Sequence, residues 1–70
     1  MENKSKICKK LLPVLQMTRN LYDLVDLEYV DYHNGEEEVI ATFINGAKKH
    51  ANVSMDSGTA MIYDIIRQIV

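Results

Sequence analysis

Few side chains in this 70-residue chain are of types that do chemistry, and their spacing decides which could act together. Cys8, His33 and His50 are the candidates for nucleophile, general base or metal ligand. A structural zinc site needs four cysteine or histidine ligands, most often in closely spaced pairs, and no such pair exists here. A cysteine nucleophile needs a neighbouring base to make thiolate, and no local signature of a cysteine enzyme surrounds Cys8. Its place beside Ile7, Leu11 and Leu12 predicts a small buried apolar residue instead. His33 falls in an expected turn and His50 on the outer side of an expected strand, so both read as exposed polar residues.

Oxygen ligands are more plentiful. Asp23, Asp26, Glu28 and Asp31 lack the dense spacing of a calcium loop, and strand alternation sends Asp26 and Asp31 to opposite faces. They read as a solvated strand whose charge discourages unwanted edge pairing, and Glu36-Glu37-Glu38 reads the same way. Asp56-Ser57-Gly58 precedes a helix, where backbone N–H groups can hold an anion. Asp56 places a negative charge at that spot and no Lys or Arg follows, so helix capping is the expected duty. The chain has no phosphate-binding loop, dinucleotide fingerprint or catalytic-triad order. The expectation is a noncatalytic protein with no cofactor and no metal.

The elements that position these residues follow from periodicity. Ile7, Cys8, Leu11, Leu12 and Leu15 recur at helical spacing among lysines, predicting a helix over 4–17. Pro13 leaves two alternatives, a kink within one helix or a second short helix running from Pro13 towards Leu21. Two Asn-Gly dipeptides, Asn34-Gly35 and Asn45-Gly46, then separate three stretches rich in β-branched and aromatic residues. That pattern predicts strands over 24–32, 37–43 and 48–55 in an antiparallel meander. Side-chain parity selects three-residue loops, His33-Asn34-Gly35 and Ile44-Asn45-Gly46, each a type I turn closed by a glycine bulge. These loops pair Tyr29 with Val39, Val25 with Phe43 and Val39 with Ala51. Odd positions through Met55 would then face the core. Asp56-Ser57 caps a last helix whose stripe is Met61, Ile62, Ile65, Ile66 and Ile69, with Tyr63, Asp64, Arg67 and Gln68 turned to solvent.

The result is a single α+β domain over 1–70, a two-layer α-β-β-β-α arrangement with both helices on one face of the sheet. A chain this short buries only ~60% of its unfolded surface, and one core of this size supplies roughly 3–5 kcal/mol. With neither disulfide nor zinc available, a partner chain is the natural supplement. A lone cysteine fits a reducing compartment, and the Lys-rich start is amphipathic rather than continuously apolar. A soluble cytoplasmic protein without membrane attachment is expected.

Charge is unevenly spread beneath the net −2. Lys4, Lys6, Lys9, Lys10 and Arg19 stand against Glu2 in the first twenty residues, whereas 21–38 hold seven acids and no Lys or Arg. Two partner classes follow. The leading one is a second copy or another protein, docking on the even face of the sheet through Val30, Tyr32, Ile40, Thr42, Ile44, His50 and Asn52. The alternative is a nucleic-acid-binding regulator whose phosphate contacts are Lys4, Lys6, Lys9, Lys10 and Arg19. The acidic balance and the scarcity of Phe and Trp weigh against nucleic acid as the partner.

The order helix, three strands, helix is similar to that of the double-stranded-RNA-binding domain. Such domains bind through a Lys-rich start to the last helix and a Gly-Pro-x-His turn. Here those places hold Asp56-Ser57-Gly58-Thr59-Ala60 and His33-Asn34-Gly35, so the resemblance implies the topology without the RNA contacts. The stretch from Ala51 to Ile66 resembles the closing segment of short uncharacterised bacterial proteins, some associated with mobile elements. That likeness implies no activity.

Overall fold

The computed structural model describes residues 3–70; Glu2, counted in the charge balance, lies outside them. Helix α1 (Lys4–Gln16) starts where the Asn3 side chain accepts a hydrogen bond from Lys6 N at 3.0 Å. It runs unbroken through Pro13, which settles the two alternatives in favour of one helix. Proline is tolerated because it lies on the exposed side, where water can serve the carbonyl left without a donor. Thr18 ends the helix, its hydroxyl and N–H both donating to Leu15 O at 2.7 and 3.0 Å. A single 3-10 turn, Arg19–Leu21, then buries Leu21. Gln16 Nε2 ties the helix end to the next strand by donating to Leu24 O at 2.8 Å.

Strands β1 (Leu24–Asp31), β2 (Glu37–Phe43) and β3 (Lys48–Asn52) form an antiparallel sheet in the order β1-β2-β3. Tyr29 pairs with Val39 and Val39 with Ala51, the register that parity requires. The expected Val25–Phe43 pair is a correction: Leu24 pairs with Phe43, and the register shifts between Leu24 and Asp26. One extra residue in β1 lets the larger Leu24 enter the core at 1% exposure and turns Val25 out at 46%.

The two turns differ. Gly46 N donates to Phe43 O, Phe43 N donates to Ala47 O, and only Gly46 has positive φ, which is the expected type I turn with its bulge. At 33–35 the three-residue loop is kept, closed by Tyr32 N donating to Glu36 O at 3.0 Å. His33, however, adopts φ 61°, so the first turn is not type I. Side-chain bonds replace the expected geometry: Asp31 accepts from His33 N and Asn34 from Glu36 N.

β3 is shorter than its apolar pattern implies. It ends at Asn52, and Met55 is 86% exposed with φ 63°, outside the core it was expected to join. Val53 is fully buried and still donates to Glu37 O, so the chain leaves the sheet just after it. Ser57, rather than Asp56, caps helix α2 (Gly58–Ile69), accepting from Ala60 N at 3.2 Å.

Both helices cover the odd face, α1 over β1 and α2 over β3. Between them lie Leu24 and Leu27 of β1, Val39, Ala41 and Phe43 of β2, Ala51 and Val53, met by Cys8 and Leu15 from α1. α2 contributes Met61, Ile65 and Ile69; its stripe is narrower than expected, because Ile62 is half-buried and Ile66 is 42% exposed. The structure is therefore the two-layer α-β-β-β-α meander, with a dry interior on one side of the sheet only.

Candidate interaction surfaces

The uncovered face of the sheet is built by alternation. Register sets Glu28, Ile40 and His50 in one row, Val30, Glu38 and Asn52 in a second, and Asp26, Thr42 and Lys48 in a third. Val30, Ile40 and Thr42 are half-buried by their neighbours alone. Five of the seven residues expected on this face thus come together: Val30, Ile40, Thr42, His50 and Asn52. Tyr32 joins them by donating its hydroxyl hydrogen bond to Glu38, whose other oxygen lies 3.2 Å from His50 Nδ1. Those two contacts hold the Glu38 carboxyl below the usual range, and the same bond raises the Tyr32 hydroxyl. Ile44 is different. It sits in the β2–β3 turn, 77% exposed, with its N–H donated to Asp23 O.

Asn52 also closes the free edge of β3. The Gln68 amide accepts from Asn52 N at 2.9 Å and donates to Asn52 O at 3.1 Å, pairing both backbone groups as a fourth strand would. Gln68 is exposed, as expected, and from there it also pins α2 to the sheet.

The five cations of the alternative reading do not converge. Lys4 is spent on Glu37 at 2.6 Å and lies over the Tyr29 ring, 5.8 Å from its centre. Lys9 borders a 360 Å³ cleft together with the acids Asp26 and Glu28. Lys6 and Lys10 edge a different cleft, between α1 and α2, and Arg19 stands apart in the 3-10 turn. Lys6, Lys9 and Lys10 are exposed about one helical turn apart on α1, so three of the five cations stay together while Lys4 and Arg19 do not join them.

Glu37 is the polar centre that sequence reasoning missed, having read it as part of a solvated acidic run. Its Oε1 accepts from Lys4 Nζ and from the Tyr29 hydroxyl, and its Oε2 accepts from Met55 N at 2.9 Å. Its backbone N–H donates to Ser54 Oγ at 2.9 Å. The Lys4, Tyr29 and Met55 bonds lower its carboxyl to about 2, and burial with the Glu37 bond raises the Tyr29 hydroxyl. The signal available was parity, since odd-numbered Glu37 starts a strand whose odd positions face inward. Every member of this group is occupied by another, so the cluster is a structural tie. Nearby, the hydrogen bond with Asp64 raises the Asp56 carboxyl and lowers that of Asp64, which Arg67 also holds.

Cys8 is 1% exposed, and burial first, then Asp26, raises its thiol to about 11, the opposite of what a nucleophile requires. Among the described residues, no three His, Cys, Asp or Glu side chains are grouped as metal ligands. No helix among them is long and apolar enough to cross a membrane. No family model matches the chain, and no curated protein or solved structure matches it either.

Proposed function

We propose that this domain is a noncatalytic interaction module that associates with a second copy of itself through the open face of its sheet. The observation that carries this reading is the distribution of side chains across that face. β1 presents Asp26, Glu28 and Val30, β2 presents Glu38, Ile40 and Thr42, and β3 presents Lys48, His50 and Asn52. A two-fold axis along β2 lays the β1 of one copy over the β3 of the other. Asp26 and Glu28 then meet the basic side of the second copy, while Ile40, Thr42 and Glu38, the last already bonded to Tyr32 and beside His50 of its own chain, meet their own counterparts, as an isologous contact requires.

Size sets the strength. Three strands at ~4.8 Å spacing and five paired residues at ~3.3 Å make a platform about 15 Å on a side. That is only a few hundred Å² per protomer, below the ~800 Å² of a standard interface, so the association is micromolar or weaker. Sedimentation equilibrium over a micromolar-to-millimolar range is expected to show reversible dimer, abolished by Ile40→Glu. A protein that stays monomeric across the range overturns the reading.

A further inference from the structure

The second uncovered surface lies on the opposite side of the molecule, between the helices. α1 packs on β1 and α2 on β3, two strands apart, so the helices diverge above the middle of the sheet and leave a trough of about 540 Å³. It is lined by Ile7, Leu11 and Val14 from α1 and Ile62 from α2, with Lys6 and Lys10 beside them. Val14 is 56% exposed although it belongs to the apolar side of an amphipathic helix. No acidic side chain lines the trough among the described residues.

We infer that this trough receives an acidic amphipathic helix from another protein, its apolar ridge on Ile7, Leu11, Val14 and Ile62 and its carboxylates against Lys6 and Lys10. Shape and charge select that occupant. From Asn3 to Val14 the trough is ~16 Å long at 1.5 Å per residue, which matches about three helical turns with anchors at i, i+3 or i+4, and i+7. A second copy docking here by symmetry would bring Lys6 and Lys10 of α1 against the same lysines, a like-charge contact that is costly once desolvated. The one acid on a helix among the described residues, Asp64 of α2, is already held by Arg67 and by its bond with Asp56, so it does not answer them. An extended nucleic-acid strand would place its phosphates over apolar side chains.

The inference goes beyond the sheet-face reading and does not depend on it. Its test is a titration followed by amide chemical shifts, using a synthetic helical peptide with Leu at i, i+4 and i+7 and Glu elsewhere. The expected result is a saturable shift confined to 4–16 and to α2 around Ile62, weakening as salt is added. Val14→Glu, at an exposed position, should abolish it. Lys6→Glu with Lys10→Glu should weaken it about tenfold, the size of two reversed charges. Ile40→Glu, on the other face, should leave it unchanged, which separates failure here from failure of the dimer.

Binding of the same peptide with Lys in place of Glu, binding of a scrambled peptide equally well, or no shift at millimolar peptide overturns the inference. So would concentration-dependent self-broadening at Val14 and Ile62 without peptide, since a second copy would then be the occupant. Anionic phosphatidylserine vesicles, added separately, should leave the spectrum unchanged. Vesicle-induced loss of the α1 signals would also overturn it.

Discussion

Glu37 shows how one carboxylate can organise the end of a small domain. It joins α1 through Lys4, β1 through Tyr29 and the segment before α2 through Met55. That last bond also bears on Met55, whose left-handed backbone costs about 1 kcal/mol for a residue with a Cβ. A side chain that accepts three hydrogen bonds is worth more ionised than protonated, and its folded value near 2 lies below the ordinary 4.5. The stabilisation is therefore fully present above about 4.5 and is lost as pH falls through about 2. Acid unfolding followed by circular dichroism should show a transition centred in that window. Glu37→Gln should lower stability at neutral pH by about 1–3 kcal/mol and flatten the acid limb, because it removes the charge from bonds that depend on it. An unchanged acid limb in the variant would show that Glu37 is not the group responsible.

Among the elements, α1 carries the clearest conflict between local preference and tertiary demand. A proline in a helix interior costs about 3 kcal/mol relative to alanine, yet α1 continues for three residues beyond Pro13. Packing of Cys8 and Leu15 on the sheet, and the Gln16 bond to Leu24 O, hold its last turn in place. Pro13→Ala should therefore stabilise the domain by about 1–3 kcal/mol in urea unfolding, the upper figure being reduced by the freedom alanine returns to the unfolded chain. No gain would mean that the helix bends at Pro13 to seat Leu15. β3 shows the converse. Val53 and Met55 share parity, but β3 stops at Asn52, and the turn bonds of Ser54 and Met55 to Asn52 and Glu37 carry Met55 away from the core.

At the scale of the whole molecule, two thin layers leave two large surfaces uncovered. One sheet face has no helix among the described residues, and the helices on the other face stand apart. Association through either surface adds free energy to folding by mass action. The melting temperature of the unmodified protein should rise with its own concentration, and that dependence should vanish in Ile40→Glu. A melting temperature constant over a hundredfold range would count against the sheet-face dimer.

How much of this was legible beforehand depends on the range of the interaction that decides it. Strand β2, both three-residue loops, the odd-face core around Val39, Ala41 and Phe43, and the ordering of helices and strands all follow from nearest neighbours and period. Glycine and asparagine at loop positions, and alternation of apolar with polar residues, act within a few residues of chain. The face carrying Val30, Ile40, Thr42, His50 and Asn52 was readable for the same reason. The bulge at Val25 was not, because it depends on Leu24 fitting beside Phe43 better than Val25 would. Nor were the left-handed Met55, the ties of Lys4 to Glu37 and of Gln68 to Asn52, or the trough between α1 and α2. Each rests on groups far apart in sequence meeting at a distance of a few ångströms, and one-dimensional spacing holds no information about that distance. Periodicity determines which side of an element is dry; only the packing of the elements determines which polar groups meet, and how far apart two helices come to rest.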